Sequence, residues 1–170
     1  MELDQIFNMS LIYATIRAST PILFAALAAT ITQQGDITNI GTEGIMLTSA
    51  FMAVLVSLMT GSWILAIVIA MVTGVITAMI MAVANIKYNA DITAVGMGIN
   101  ILALAVTKFG IKQFLGTTGS FTSPKIVGIP KVHLPFLDGV PVLGQIFNNW
   151  SLMEIVGILS VFFMWFILYH

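Results

Sequence analysis

Four long runs without any charged side chain limit what this chain can fold into. They cover residues 18–34, 44–86, 92–107 and 155–170. Of the 170 residues, 59% are hydrophobic and only 8% are charged, whereas a soluble domain of this size would carry far more charge. A bilayer core of about 30 Å is crossed by roughly 20 apolar residues in a helix. The sequence therefore predicts an integral membrane protein with several spans.

Breaks in the apolar pattern place the first three spans. The first is predicted at about 11–33, and Pro21 is expected either to kink it or to mark its true start, because proline removes a backbone hydrogen bond. The run 44–86 is too long for one crossing at about 1.5 Å per residue. Gly61 interrupts it, so it is predicted to form two helices in a tight hairpin.

Capping residues place the last two spans. Asp91 is a predicted N-cap for a fourth span at about 92–114. Ser151 and Glu154 have capping-box spacing before a fifth span that runs to the last residue. The predicted fold class is all-α: a polytopic helical membrane protein with about five transmembrane helices, in which residues 1–170 form a single transmembrane domain.

One polar segment, at 35–44, interrupts the hydrocarbon between the first two spans. It brings Asp36, Asn39 and Glu43 together. Irregular backbone at membrane depth is tolerated only where it packs in protein or lines an aqueous cavity, and a carboxylate there indicates function. We therefore expect a broken or re-entrant segment beside a solute path. The alternative is that Thr38 or Asn39 caps the next helix while Glu43 complements its dipole at a wet interface.

Asn100 is the second polar candidate. It lies about nine residues beyond Asp91, which places it roughly 13 Å deep. The small and polar residues of this helix recur at three-and-four spacing: Thr93, Gly96, Asn100, Ala103 and Thr107. Ile99 and its apolar neighbours are expected mostly on other faces. Such a stripe can line a solute path, or it can hold helices together by small residues and one interhelical hydrogen bond.

Residues 116–150 differ from the rest because most of the chain's prolines fall there, among short apolar pieces. They are predicted to form an extramembrane loop, either a docking surface or a simple connector. Five crossings would place the N-terminus and this loop on one face of the membrane, and the 87–91 turn and the C-terminus on the other. The lysines do not decide which face is cytoplasmic, since Lys125 and Lys131 lie in a long loop where the positive-inside rule is less reliable.

The sequence offers little for catalysis. Cysteine is absent, and His133 and His170 stand apart from any paired carboxylates, so neither a metal site nor a cofactor is expected. There is no nucleophile elbow and no phosphate-binding loop, so we do not expect an enzyme, and energy from ATP would have to come from a partner. A net charge of −1 provides no basic patch for nucleic acid.

Two stretches resemble the permease subunits of nucleoside and simple-sugar ABC importers, in the wider group that includes ribose and branched-chain amino-acid permeases. The first is TIRASTPILFAALAATITQQGDITNIGTEGIMLTSAF, with the run Asn39-Ile40-Gly41-x-Glu43-Gly44 after Gly35. The second is NADITAVGMGINILAL, which contains Gly96 and the pair Gly98-x-Asn100. The resemblance extends over essentially the whole chain, with loop 116–150 matched only in place and length.

The resemblance implies an all-helical permease in which two such subunits, identical or homologous, enclose a central pathway. An extracellular solute-binding lipoprotein would deliver the solute, and a cytoplasmic ABC ATPase would drive alternating access. It further implies a multi-pass protein of the bacterial cell membrane with loop 116–150 outside. By the same comparison, the chain corresponds to about the N-terminal half of a permease.

The resemblance and the polar pattern together give a set of expected site residues. Those expected along the substrate pathway are Asn39, Glu43, Asn100, Thr93 and Thr107, and the expected structural glycines are Gly35, Gly41, Gly44, Gly96 and Gly98. The neutral amide and hydroxyl groups of the pathway residues suit a small uncharged solute such as a ribosyl compound. Glu43 has a structural alternative, a hydrogen bond to a neighbouring helix.

Two other protein classes fit the same residues. One is a non-transporting or truncated membrane protein whose polar groups only hold helices together. The other is half of a secondary transporter. Coupling to protons or sodium usually uses acidic residues near the midplane, and apart from Glu43 no carboxylate falls well inside a predicted span. This scarcity favours transport driven by a separate ATPase.

Overall fold

The computed structural model describes residues 9–117, 121, 123–131 and 150–169. Within these ranges the chain forms helices and irregular connections, with a single isolated bridge between Lys131 and Ser151. The five helices are α1 (Met9–Gln33), α2 (Thr42–Thr60), α3 (Trp63–Tyr88), α4 (Ile92–Leu115) and α5 (Leu152–Tyr169). All five are long and apolar enough to cross a membrane, which confirms the predicted all-α fold class.

The described residues fall into two compact units. The unit Ala29–Gly128 contains α2, α3 and α4, and α2 packs against both of the other helices. The other unit comprises the described parts of Met1–Ala28 and Ile129–His170, and in it Gly157 of α5 faces Leu23 and Phe24 of α1. The prediction of a single transmembrane domain over 1–170 stays a prediction.

Glycine and serine separate α2 from α3, as the sequence predicted. Gly61 has a left-handed conformation with φ 64° and donates its backbone N–H to the Ser57 carbonyl, which is how a glycine ends a helix. Ser62 then caps α3, because its hydroxyl accepts the Leu65 N–H at 3.5 Å. Two residues are therefore enough to reverse the chain between two spans.

The predicted start of α4 is also confirmed. The Asp91 carboxylate accepts the Ala94 N–H at 2.8 Å, in the geometry of an N-cap. The preceding helix ends at Asn89, which has a φ of 50°. Asn85 supports this turn by donating its side-chain N–H to the Ala90 carbonyl at 3.0 Å. At the other end of α4, Gly116 has a left-handed conformation and closes the helix.

Helix α5 starts where the predicted capping box places it. The Glu154 side chain accepts the Ser151 backbone N–H at 2.6 Å, which satisfies a donor that the helix itself cannot use. The predicted loop 116–150 is only partly observable, since residues 118–120, 122 and 132–149 lie outside the described residues. In its described part, residues 121 and 123–131 contain no helix.

One of the two expectations for Pro21 is wrong. Helix α1 begins at Met9 and contains Pro21 in its interior, so the proline does not mark the start of the span. Side-chain hydroxyls bond to the turn before the proline: Ser19 and Thr20 both donate to the Ile16 carbonyl, at 3.0 and 2.9 Å. Membrane helices tolerate proline where hydroxyls of this kind satisfy nearby backbone groups.

The polar segment after α1 is broken, as predicted. It turns at Asp36, whose φ is 55°, and the N–H groups of Gly35 and Ile37 both bond to the Thr32 carbonyl. Helical backbone does not resume until Thr42. This segment separates two helices by irregular backbone and carries the candidate site.

Candidate functional site

The start of α2 lies inside the bundle of its own unit, not level with the ends of its neighbours. A Cβ atom added at Gly41 would lie 3.0 Å from Met81 Sδ and 3.5 Å from Gly96 Cα. Helix α3 continues seven residues beyond Met81, and α4 begins four residues before Gly96. At 1.5 Å per residue, α2 begins about 6–10 Å inside the ends of α3 and α4. This position fits the expectation of a segment that re-enters the apolar layer.

Three of the five predicted structural glycines form the crossing of α2 and α4. A Cβ at Gly96 would lie 2.9 Å from the Gly41 backbone N, and a Cβ at Gly44 would lie 2.9 Å from both the Ile99 carbonyl oxygen and Asn100 Oδ1. Backbone atoms cannot move aside as a flexible side chain can, so only glycine allows this approach.

Gly35 and Gly98 do not take part in this crossing. A Cβ at Gly35 would make an ordinary 3.5 Å contact with the Thr32 carbonyl, and a Cβ at Gly98 would meet nothing within 4 Å. Their role as structural glycines of the motif stays a prediction.

Asn100 joins α4 to the start of α2 through both ends of its side-chain amide. Its Oδ1 accepts the Gly44 backbone N–H at 2.7 Å, and its Nδ2 donates to the Ile40 carbonyl at 3.0 Å. An amide with both ends on backbone is a strong structural tie in an environment without water. The interhelical hydrogen bond that the sequence left as an alternative for Asn100 is thus present.

The capping alternative for Thr38 and Asn39 is wrong in its detail. The N-cap of α2 is Gly41, and no side chain of its own segment caps it. Thr42 donates its hydroxyl to the Asn39 carbonyl at 2.9 Å. Glu43 lies in the first turn of α2 and is exposed, so its carboxylate is placed where the positive end of the helix dipole favours negative charge.

Asn39 borders a small cavity of about 220 Å³ beneath the start of α2. The cavity also has polar neighbours in Thr32 and Asn85 and is otherwise lined by Ile37, by apolar residues of α3 and by Ile92 at the start of α4. The Oδ1 atom of Asn39 is buried and has no hydrogen-bond donor among the described residues. An acceptor left in this state destabilises the arrangement that holds it, by about 1–3 kcal/mol in typical proteins.

The predicted polar stripe of α4 divides between packing and exposure. The face of α4 buried in the structure consists of Gly96, Ile99, Ala103, Thr107 and Gly110. Thr93 is exposed at the start of the helix, and Asn100 is partly exposed. Thr107 is 5% exposed and its hydroxyl has no partner among the described residues, and its place on a solute path stays a prediction.

Sequence reasoning missed two features of this face. Ile99 belongs to the buried stripe, because the 3.6-residue period carries it onto the same side as Gly96 and Ala103. Gly110 also packs closely, since a Cβ there would overlap the Phe51 ring of α2. The sequence signal for Gly110 was its spacing, which places it on the same helical face as Ala103 and Thr107.

A larger groove of about 620 Å³ lies toward the other end of the α2 and α4 pair. It is lined by Leu47, Leu104, Thr107, Lys108, Phe109, Ile111 and Lys112. Two of these residues are lysines near the C-terminal end of α4. They sit one helical turn apart on α4 and are exposed, so this groove has an apolar floor and a cationic end.

Further ties hold α2 within its unit. The Ser57 hydroxyl donates to the Val127 carbonyl and accepts the Val127 N–H, both at 3.1 Å. The hydroxyls of Thr48 on α2 and Thr77 on α3 are 3.4 Å apart. These contacts involve neutral hydroxyl groups and backbone, and they bring no catalytic pair together.

The helices and this site define a class, a multi-pass helical membrane protein with a broken span at its polar centre. The chain belongs to the family described as branched-chain amino acid transport system / permease component, whose model matches residues 11–170. This match agrees with the family resemblance drawn from the sequence. No solved structure matches the chain.

Two curated relatives of the chain are permease proteins of ABC transporters. The chain is 33% identical over 177 aligned positions to the guanosine ABC transporter permease protein NupQ of Bacillus subtilis, covering 99% of this chain and 54% of that protein. It is 30% identical over 159 positions to the nucleoside ABC transporter permease protein NupC of Lactococcus lactis, covering 89% and 49%. The chain spans about half the length of the curated relatives it matches.

Proposed function

We propose that this chain is a membrane permease subunit of an ATP-binding-cassette importer for nucleosides or simple sugars. The observation that carries the proposal is the family match over 11–170, joined to near-complete alignment of the chain with two nucleoside permeases. The chain itself would not be an enzyme, and a separate ATPase subunit would hydrolyse ATP. A neutral solute fits the amide and carboxyl groups of the broken segment, which offer hydrogen bonds without a dedicated ion site.

The partners follow from the same proposal. A second permease subunit, identical or homologous, would complete the central pathway. A cytoplasmic ABC ATPase and an extracellular solute-binding lipoprotein would act on opposite faces of a bacterial cell membrane. Loop 116–150 would face outward, toward the binding protein. The lipid bilayer would cover the apolar surfaces of the helices.

The exposed surface of α2 and α4 is the proposed pathway wall. Glu43 is exposed on α2, near the depth where α2 meets Gly96 and Asn100. A carboxylate at such depth is expensive in lipid and is normally covered by water or protein. Asn39 and Glu43 are the proposed solute contacts, Thr93 contributes a hydroxyl at the same end, and Asn100 acts through the backbone that it holds.

Uptake by the complete transporter tests this proposal. The protein that contains this chain would be reconstituted in liposomes with its ATPase and solute-binding protein, and labelled nucleosides and simple sugars would be offered. We expect ATP-dependent uptake, and about a tenfold increase in KM for Glu43→Gln or Asn39→Ala, because losing hydrogen bonds of this kind weakens binding by about 1–1.5 kcal/mol. Met79→Ala on the exposed apolar side of α3 is the matched control.

The two parts of the proposal fail separately. The importer assignment is wrong if the wild-type assembly takes up neither class of solute when ATP is supplied. The pathway assignment is wrong if uptake persists in Glu43→Gln and Asn39→Ala with the KM of the Met79→Ala control.

A further inference from the structure

The two backbone groups that Asn100 binds are related in a specific way. An α-helix joins the N–H of each residue to the carbonyl four residues earlier, and Gly44 follows Ile40 by four. Instead of meeting each other, these groups meet the two ends of the Asn100 amide, at 2.7 Å and 3.0 Å. Ile40 precedes the N-cap Gly41, so the Asn100 amide occupies the place of the hydrogen bond that would extend α2 by one residue toward its N-terminus.

The backbone around this insertion is close to helical. The next bond along the chain, from the Ile45 N–H to the Gly41 carbonyl, is present at 3.1 Å. Gly41 has φ −75° and ψ 2°, a short rotation away from the helical region. A small change would let Gly44 bond directly to Ile40 and lengthen α2 toward its N-terminus.

We propose that Asn100 is a positioning residue: its amide is a removable insert between the Ile40 carbonyl and the Gly44 N–H at the start of α2, and it couples the separation of α2 and α4 to the position of Asn39 and Glu43. With the helices together, the amide holds the break open. With them apart, the Ile40 carbonyl and the Gly44 N–H bond to each other. In each of these two states the carbonyl and the N–H have a hydrogen-bond partner, so neither group is left unpaired in the membrane.

Two observations bear on how the amide would be displaced. The inserted state needs the short distance at the crossing, since a Cβ at Gly44 would lie 2.9 Å from Asn100 Oδ1, so a small separation of the helices breaks both hydrogen bonds. Asn39 Oδ1 is also buried without a donor among the described residues, a cost that a movement of the start of α2 would remove if it brought a donor to this atom. The two states of Asn100 do not depend on the proposed transport function. Only the purpose of the motion rests on that function.

A distance measurement tests the insert without relying on transport. The chain contains no cysteine, so spin labels can be attached at Met46→Cys on α2 and Met97→Cys on α4, both exposed positions. Distances between the labels would be measured by pulsed electron paramagnetic resonance in the complete permease. We expect a shorter population in the wild type and a shift toward a longer one in Asn100→Leu. Leu102→Ala, an exposed position on the same helix, is the matched control.

A second variant approaches the same contact from the opposite helix. Gly44→Ala leaves Asn100 in place and should expel its amide, giving the same longer population. This variant keeps the test decisive if Asn100→Leu fails to fold. Distances like those of the Leu102→Ala control in either folded variant would overturn the proposal.

Transport kinetics then separate positioning from solute contact. A positioning residue should lower the maximal uptake rate of Asn100→Leu at least about fivefold, and any change in KM should accompany the change in label distance, because Asn100 acts on the solute only through the start of α2. Asn100→Asp keeps the acceptor for Gly44 and loses the donor to Ile40, so it should lie between Leu and wild type. A rise in KM with unchanged label distances would mean that Asn100 contacts the solute and would overturn the proposal. An assembly without uptake but with the predicted distances would contradict only the transport function.

Discussion

Helices α3 and α4 are of similar length and share a neighbour in α2, yet they use their surfaces differently. Only Ala66 and Met81 of α3 are buried, and its exposed large side chains are apolar along almost the whole helix. Helix α4 buries five residues, two of them glycine, and exposes Thr93, Lys108 and Lys112. High hydropathy marks α3 as a span, but the polar and small residues of α4 set where two helices cross.

The comparison separates the features that place a helix in the membrane from the features that hold two helices together. In lipid there is no hydrophobic driving force between helices, so close packing and hydrogen bonds must bring them together. Helix α3 packs along α2 as the second arm of their hairpin, where the polar contacts are the Thr48 and Thr77 hydroxyl pair and the approach of Gly74 to Ser49. The α4 surface supplies both close packing and hydrogen bonds at Gly96 and Asn100.

The largest expected effect comes from placing a charge on each exposed surface. Val75→Lys lies near the middle of α3 and should raise the free energy of membrane insertion by about 3 kcal/mol, since a lysine at the bilayer centre faces lipid. Leu104→Lys on α4 should cost less, because that position borders the groove that ends in Lys108 and Lys112. A glycosylation-mapping assay of insertion measures both. Equal costs would remove the proposed difference between a lipid-facing and a pathway-facing helix.

A smaller but still large effect is expected at the glycine crossing. Gly96→Ala should lower the free energy of unfolding by about 1–3 kcal/mol, because the added Cβ meets the Gly41 backbone at 2.9 Å and neither helix can yield locally. Thermal unfolding of the purified protein would measure the loss.

Gly98→Ala is the control on the same helix. Its Cβ would meet nothing within 4 Å, so alanine should be neutral or should stabilise the helix by up to about 1 kcal/mol. Equal destabilisation by the two variants would mean that loss of glycine, and not the crossing, explains the effect.

The sequence predicted much of the fold, because helix limits depend on local signals. Gly61 and Asp91 ended and started helices where expected. The exception was Pro21, which lies in the interior of α1 and not at its start. Proline occurs both in the first turn of helices and inside membrane helices, and composition does not distinguish the two positions.

The candidate site was less predictable, because it depends on contacts between distant residues. Asn39, Glu43 and Asn100 were found as polar groups in an apolar chain. That the Asn100 amide spans Ile40 and Gly44 follows only from the crossing of α2 and α4, some 56–60 positions apart in sequence. The burial of Thr107 was likewise not predictable, because periodicity shows which residues share a face and not what covers it.

The helix caps extend the comparison of α3 and α4 to a moderate effect. Asp91→Ala should destabilise the protein by about 1 kcal/mol, since its carboxylate accepts the Ala94 N–H at a short 2.8 Å. Ser62→Ala at the start of α3 should cost about half as much or less, because its hydrogen bond to the Leu65 N–H is 3.5 Å long. Thermal unfolding of both variants under one condition checks the order. A larger loss for Ser62→Ala would reverse the ranking that these distances give.

The smallest effect is expected at Thr107, a buried polar residue of α4. Its hydroxyl has no partner among the described residues, and valine has nearly the same shape. Thr107→Val should therefore leave the free energy of unfolding unchanged or raise it by up to about 1 kcal/mol. Thr48→Val on α2 is the matched comparison, because that hydroxyl bonds to the Gly44 carbonyl at 2.9 Å and lies beside Thr77. If Thr107→Val instead destabilises the protein as much as Thr48→Val does, the Thr107 hydroxyl has a partner in the assembled permease, and α4 has a further polar contact on its buried face.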